Sequence, residues 1–175
     1  MKLIVFSGLP ATGKSSVAEA VARELGIPIF AKDWLAATLR RLGIGYGESG
    51  SSMLGQAGYE LLATLAQQQL RLGQSAILDS VLSWESTRHR WRKIAAEYSA
   101  EWYVIECICS DEVLHRMLLA GRRYNIPGWQ ELIWAEVERV KAYYKPWEEQ
   151  HLILDAVNPL ADNVQTALTY IGGSA

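Results

Sequence analysis

The sequence predicts an α/β fold in which a five-stranded parallel sheet lies between two layers of helices. Short apolar runs alternate with longer segments whose apolar residues recur at three- and four-residue spacings. The short runs are apolar throughout, as expected for strands that helices cover on both faces. With 175 residues, half of them hydrophobic, the chain has enough material for one core. We therefore expect a single domain spanning residues 1–175, without repeats or a linker.

The predicted elements alternate along the whole chain. Strands are expected at residues 2–6, 28–31, 76–79, 102–109 and 152–155, and helices at 14–25, 34–42, 57–72, 85–98, 111–120, 130–144 and 160–171. Gly26 and Gly73 stand where two of these helices would end in a left-handed residue. Residues 43–55 contain five glycines and three serines, which predicts a loop.

The first strand and the first helix are joined by the residues G-L-P-A-T-G-K-S at positions 8–15. They fit the pattern G-x-x-x-x-G-K-[ST] of a P-loop, or Walker A motif, although such a match could also arise by chance in a Gly-rich turn. The glycines let successive N–H groups turn towards a phosphate, the lysine adds a positive charge, and the serine hydroxyl can reach Mg²⁺. The predicted nucleotide-binding residues here are Gly8, Pro10, Ala11, Thr12, Gly13, Lys14, Ser15 and Ser16.

Two carboxylates follow predicted strands at the edge where an open parallel sheet binds ligands. Asp33 comes after the second strand, where it could orient an acceptor hydroxyl and take its proton. Alternatively, it caps the helix expected from Trp34. Asp79 ends the third strand, from which it could reach Mg²⁺ and the substrate, or it could be a cap or turn residue before Ser80.

A basic segment follows the helix predicted at 111–120. Residues 116–130 combine Arg116, Arg122 and Arg123 with a Gly/Pro-containing loop, and such a segment could close over a nucleotide as a lid. Any one of these arginines could instead lie there because helix C-termini attract positive charge.

Aromatic and cationic side chains near the predicted acceptor crevice are candidates for substrate contact. Trp34, Trp84 and Trp129 could form a stacking wall, or could fill gaps between helix and sheet. We predict contacts to the substrate from Asp33, Trp34, Asp79 and Arg88. Cys107 and Cys109 are expected to be small core residues rather than a metal pair, because C-x-C alone does not complete a zinc site.

The net charge of −2 and the pI near 5.9 disfavour long nucleic acids as partners, since these are held mainly through their phosphates. No signal peptide or membrane span is recognisable. We therefore expect a cytoplasmic protein with a small-molecule partner and no membrane partner, and the oligomeric state stays open.

Together these motifs resemble the P-loop kinases of the AAA-family ATPase-like, predicted-kinase group. The resemblance rests on residues 8–15, on Lys32-Asp33, on residues 73–80, on the segment from Cys109 to Arg122, and on residues 144–155. The group is also similar to chloramphenicol phosphotransferase and to the 5′-kinase domain of polynucleotide kinase.

The resemblance implies an adenylate-kinase-like P-loop NTPase fold and transfer of the γ-phosphate of ATP, with Mg²⁺, to a hydroxyl of a small molecule. It implies that Asp33 is the general base, that Lys14 and Ser15 serve the nucleotide and the metal, and that Arg122, Arg116 and Arg123 are lid arginines. Polynucleotide kinases carry an arginine where this chain has Ala36. A 5′-hydroxyl polynucleotide kinase and a nucleotide-binding switch with slow hydrolysis are the alternatives.

Overall fold

The computed structural model of the chain describes residues 1–44, 50–123, 125–129 and 131–173, and for residues 50–53 it describes the backbone alone. Within this part, five parallel strands form one sheet in the order β2-β3-β1-β4-β5. The predicted α/β class with a five-stranded parallel sheet is confirmed. The strands are β1 Lys2–Ser7, β2 Ile29–Ala31, β3 Ala76–Asp79, β4 Glu101–Ile108 and β5 Leu152–Asp155.

Helices connect successive strands and cover both faces of the sheet. They are α1 Lys14–Leu25, α2 Lys32–Arg41, α3 Gly50–Arg71, α4 Glu85–Glu97, α5 Glu112–Gly121, α6 Trp134–Tyr143 and α7 Leu160–Gly172. None of the helices in the described ranges is long and apolar enough to cross a membrane.

Two predicted helix starts were wrong by four residues or more. Helix α3 begins at Gly50 rather than at residue 57, and Leu54 in its early part is buried in the protein, so packing overrides the weak helix propensity of glycine and serine. The remaining part of the predicted loop includes residues 45–49, which lie outside the described residues. Helix α6 begins at Trp134 rather than at residue 130, because the Glu136 carboxylate accepts a hydrogen bond from the Ile133 N–H (2.9 Å) and so satisfies a donor at the helix start.

The core lies on both faces of the sheet, as the alternation of side chains along β1 shows. Ile4 and Phe6 face one layer, where they pack with residues of α1 and α7, while Leu3 and Val5 face the layer built by α3 and α4. All four side chains are fully buried. The site is positioned by this arrangement, since the carboxyl ends of β1, β2 and β3 meet at one edge, with Phe6 and Ala31 both in register with Asp79.

Candidate active site

The loop between β1 and α1 has the backbone geometry of an anion cradle. Gly8 has a φ of +133°, and a Cβ atom there would overlap the carbonyl oxygen of Cys107 in β4. Ala11 (φ +64°) and Gly13 (φ +76°) are also left-handed. The Thr12 hydroxyl donates to the Leu9 carbonyl (2.9 Å) and ties the loop to itself. Glycine is therefore required at position 8 by a close backbone approach, and not by flexibility.

The main-chain donors of this loop are available to a ligand. None of the N–H groups of residues 11–16 donates a hydrogen bond to a described residue. Consecutive unpaired N–H groups at a helix start favour anions, because they combine with the positive end of the helix dipole. The donor set fits a polyphosphate, as the P-loop motif predicts.

The lysine of the motif is buried beside a carboxylate. Lys14 Nζ donates to Asp79 Oδ1 at 2.6 Å, and the two side chains are 8% and 4% exposed. Asp79 ends β3 next to β1, so the strand register itself brings the two residues together. Both residues were predicted from the sequence, whereas their ion pair was not.

Asp33 lies in the first turn of α2 and does not cap it. The N-cap residue is Ala31, with no side-chain hydrogen bond, so the alternative interpretation of Asp33 as a cap is wrong. Its carboxylate Oδ2 lies 3.9 Å from Arg122 Nη2. Burial raises the pKa of the Asp33 carboxyl above its ordinary value, while the charges of Lys14, Lys32 and Arg122 oppose that rise.

A cavity of about 850 Å³ brings these groups together at the carboxyl edge of the sheet. Its volume is within the range of small-molecule sites. Its charged lining residues are Lys14, Lys32, Asp33, Glu60, Asp79, Arg90 and Arg122. Its aromatic lining residues are Tyr59, Trp84, Trp91, Trp129 and Tyr143. The wall formed by α3, with Tyr59 and Glu60, was not anticipated, because its only sequence signal was an ordinary amphipathic helix.

Of the three tryptophans predicted for the acceptor crevice, two line this cavity. Trp84 stacks on Tyr143 (ring centroids 5.1 Å apart, interplanar angle 11°), and Trp129 lies beneath the Arg40 guanidinium. Trp34 is half exposed and borders a separate shallow groove with Glu19 and Leu35. The predicted substrate contact from Trp34 is thus not supported, because its side chain borders this groove and does not line the cavity that contains Asp33.

Arg88 is a structural residue of the α4 region. It is 2% exposed, and its guanidinium donates to the carbonyls of Leu82 (3.0 Å), Pro146 (2.8 Å) and Lys145 (2.6 Å) while stacking on Trp147. It does not line the cavity. The prediction that Arg88 contacts substrate is therefore wrong, because its donors are used in holding the segment before β5.

The three candidate lid arginines have different surroundings. Arg122 lines the cavity, and burial lowers the pKa of its guanidinium. Arg116 pairs with Glu112 (2.9 Å) and stacks on Trp134. Arg123 donates to the Ala120 and Arg122 carbonyls. Only Arg122 approaches Asp33, and a contact of Arg116 or Arg123 with nucleotide stays a prediction. Residues 124 and 130 of the predicted lid lie outside the described residues.

A histidine for which we predicted no role contacts the main chain of the P-loop. His115 in α5 is 5% exposed, and its Nε2 lies 2.7 Å from the Pro10 carbonyl oxygen. Its ring meets Trp134 edge to face. A single histidine in a helix carries no spacing signal, so this contact could not be predicted.

A second cavity of about 550 Å³ touches the P-loop at Gly8, Leu9 and Thr12. Its polar wall is a hydrogen-bond network in which the Tyr144 hydroxyl donates to Glu106 (2.7 Å) and contacts Ser7 (2.8 Å), and His151 meets Glu106 at 3.2 Å. Burial raises the pKa of the Tyr144 hydroxyl. This network fastens the segment before β5 to β1 and β4.

The residues available for Mg²⁺ are the Ser15 hydroxyl at the start of α1 and Asp79. Within the described ranges, no group of three or more His, Cys, Asp or Glu side chains could hold a metal alone. This donor set fits an ion that shares phosphate oxygens and waters, which is how Mg²⁺ is commonly bound beside nucleotides. Cys107 is buried and Cys109 is partly exposed, and both are free.

A family of proteins described as an AAA domain matches residues 3–147. The chain belongs to this AAA domain family. The match covers β1 to the segment before β5, including the P-loop, Asp33, Asp79 and Arg122. The family membership inferred from the sequence motifs is thereby confirmed at the level of the P-loop kinase-like group.

Solved structures share the fold of this AAA domain over nearly its whole length. A sugar kinase from Janibacter sp. HTCC2649 is 15% identical with a TM-score of 0.75 and covers 99% of this chain and 96% of its own. A gluconokinase from Sinorhizobium meliloti 1021 is 17% identical with a TM-score of 0.72 and covers 98% and 92%. At these identities the likeness shows the fold.

Among curated proteins, the uncharacterized protein Rv2004c of Mycobacterium tuberculosis is 26% identical over 174 residues, which is 95% of this chain and 34% of that protein. The AAA domain described here thus spans about a third of the length of the curated relatives it matches.

Proposed function

We propose that this chain is an ATP- and Mg²⁺-dependent phosphotransferase that transfers the γ-phosphate of ATP to a hydroxyl of a small molecule, with Asp33 as general base. The observation that carries the proposal is that Lys14 of the P-loop and Asp33 of α2 line one cavity. A phosphate-binding loop alone would equally suit a nucleotide-binding switch, whereas a partly buried carboxylate that lines the same cavity suits an acceptor hydroxyl.

The chemistry assigned to Asp33 is a proton transfer. The acceptor oxygen bonds to the γ-phosphorus, the bond from phosphorus to the β–γ bridging oxygen breaks, and ADP leaves with that electron pair. The hydroxyl proton passes to the Asp33 carboxylate. The raised pKa of the Asp33 carboxyl suits this role, since a base is most effective when its pKa is not far below the working pH.

The other residues are assigned to binding and electrostatics. The N–H groups of residues 11–16 and the Lys14 ammonium hold the phosphates, and Arg122 offsets negative charge next to Asp33. Mg²⁺, when bound, offsets further charge on the phosphates, and Ser15 and Asp79 are the residues assigned to hold it. Positioning and electrostatics supply most of the rate in phosphoryl transfer.

The cavity favours a small acceptor over a nucleic acid. It is lined by residues of α2 and α3 and by the aromatic side chains Trp84, Trp129 and Tyr143, and the chain carries no net positive charge for a phosphodiester backbone. Fold neighbours named as a sugar kinase and a gluconokinase support the same class of acceptor.

The test measures transfer of label from γ-labelled ATP, with Mg²⁺, to a pool of hydroxyl metabolites, antibiotics and short 5′-hydroxyl oligonucleotides. Wild type is compared with Asp33→Asn, and Asp162→Asn on the exposed surface of α7 is the matched control. We expect a labelled small molecule from wild type and from the control, with a rate about 10²- to 10⁴-fold lower for Asp33→Asn. Equal slow hydrolysis by all three proteins, with no acceptor labelled, would contradict the proposal.

A further inference from the structure

Lys32 is a cavity residue to which neither the P-loop nor the proposed base assigns a role. It is the first residue of α2, immediately before Asp33, and its side chain crosses to α3. There its aliphatic stem packs on Gly58, where a Cβ atom would lie 3.1 Å from the Lys32 Cγ. Its ammonium Nζ lies over the Tyr59 ring, 4.9 Å from the ring centroid. Packing therefore holds the ammonium at the α3 wall of the cavity.

The other three cations of the cavity each have a carboxylate neighbour. Lys14 pairs with Asp79, Arg90 with Glu60, and Arg122 lies 3.9 Å from Asp33. Lys32 makes no ion pair within the described part of the chain, although it adjoins Asp33 in sequence. The face of the Tyr59 ring compensates such a charge only in part.

The charges that line the cavity are unequal. Among the described residues, four cationic side chains face three carboxylates, so one positive charge is in excess. Lys32 is also partly shielded from water, and this burial lowers the pKa of its ammonium, while the charge of Asp33 opposes that change. A partly desolvated cation at a cavity wall gains most from an anionic ligand, because charge-assisted hydrogen bonds strengthen as water is excluded.

We propose that Lys32 binds an acidic group of the acceptor, so that the substrate is a hydroxylated small molecule carrying a carboxylate or a phosphate. This inference rests on the proposed function, and it adds the class of acceptor. Lys32 would act as a specificity residue: its contact fixes the acid at the α3 wall while the neighbouring Asp33 faces the hydroxyl. Tyr59, whose hydroxyl accepts a hydrogen bond from the Leu82 N–H (3.1 Å), keeps that wall in place.

Three variants distinguish an effect of the Lys32 charge from effects of side-chain position and of overall charge. Lys32→Met removes the charge and keeps the stem. Gly58→Ala leaves the charge but displaces the stem, since the added methyl would meet Cγ at 3.1 Å. Lys93→Met, which removes a 70% exposed lysine of α4, is the matched control for loss of a surface charge.

The first measurement is the direct binding of candidate acceptors to the protein, monitored by ligand-observed NMR. The P-loop is saturated with AMPPNP and Mg²⁺ in every sample. Each acid is compared with a neutral counterpart: gluconate and glucose 6-phosphate with glucose, glycerate with glycerol, and 3-hydroxybenzoate with 3-hydroxybenzyl alcohol. Comparing the carboxylate probes with the phosphate probe shows which of the two acidic groups the site prefers. We expect at least one acid to bind wild type and Lys93→Met about 10- to 100-fold more tightly than its counterpart. Lys32→Met should lose that preference, and Gly58→Ala should reduce it.

The binding assay tests the acidic-ligand site, and the transfer assay tests the kinase proposal, so their outcomes are distinguishable. If no acid binds more tightly than its neutral counterpart, or if Lys32→Met keeps the preference, the inference is overturned whatever the transfer assay shows. It is also overturned if Lys32→Met weakens binding of AMPPNP instead, because Lys32 would then serve the nucleotide. Preferential binding of an acid without any transfer would retain the acidic-ligand site and contradict the kinase proposal alone.

Discussion

Lys14 and Asp79 form a buried ion pair that joins the start of α1 to the end of β3, with Nζ and Oδ1 2.6 Å apart. Both side chains are more than nine-tenths buried, so each neutralises a charge that would otherwise be isolated from water. The two residues to which the motif assigns phosphate and metal binding are thus also partners in the folded chain. Their contributions to stability and to ligand binding are coupled.

Lys14→Met should destabilise the protein by about 3–5 kcal/mol, because it leaves the Asp79 carboxylate buried without its partner. The double variant Lys14→Met/Asp79→Asn should lose less stability than the sum of the losses in the two single variants, since it contains no isolated charge. Urea unfolding followed by circular dichroism measures all three. Additive losses would show that the pair contributes no coupling energy.

Gly8→Ala and Gly13→Ala compare two glycines of the same loop. At Gly8 a methyl group would overlap the Cys107 carbonyl oxygen, whereas at Gly13 nothing lies within 4 Å of the added atom and only the φ of +76° is unfavourable. We expect Gly8→Ala to prevent stable folding or to cost several kcal/mol, and Gly13→Ala to cost about 1–2 kcal/mol. Thermal unfolding and nucleotide affinity are the measurements. Equal losses at the two positions would contradict the contact with β4.

Much of this site could be predicted from the sequence because its signals are local. The P-loop motif depends on residue types at fixed spacing, and Asp33 and Asp79 were found because parallel strands end at one edge of the sheet. Apolar runs placed all five strands to within a residue or two, since buried parallel strands are apolar throughout.

The rest of the site depends on contacts between residues far apart in sequence. Arg88 was predicted to contact the substrate, whereas its donors are used by the main-chain carbonyls of Leu82, Lys145 and Pro146. His115 beneath the P-loop and the wall formed by Tyr59 arise in the same way, from helix packing. No spacing within one segment encodes such contacts.

Arg88→Met should destabilise the protein by about 2–4 kcal/mol, because the carbonyl groups of Leu82, Lys145 and Pro146 lose their donor. Arg92→Met on the same helix is the matched control. Its ion pair with Glu149 (3.0 Å) involves a side chain that is 62% exposed, and such pairs contribute about 0–1 kcal/mol. Chemical unfolding compares the two variants. Comparable losses would contradict the structural role of Arg88.

Asp33→Asn should stabilise the protein at neutral pH while it lowers the rate of phosphoryl transfer. Burial raises the pKa of the Asp33 carboxyl in the folded chain above the ordinary value of 3.8. Between these two values the folded state binds more protons than the unfolded state, so the stability of wild type declines as the pH rises through that window. Above the folded pKa the whole penalty is present, and the neutral asparagine does not carry it.

The measurement is the melting temperature of wild type, Asp33→Asn and the control Asp162→Asn from pH 4 to pH 8. We expect the advantage of Asp33→Asn to grow with pH and then to level off, with each 1 kcal/mol raising the melting temperature by about 2–4 °C in a chain of this size. Because the variant also loses the contact of Asp33 with Arg122 at 3.9 Å, the gain should be smaller than burial alone would give. If Asp33→Asn is less stable than wild type at pH 8, favourable contacts of the Asp33 carboxylate outweigh the cost of its burial. The ionised carboxylate would then stabilise the folded chain, contrary to this prediction.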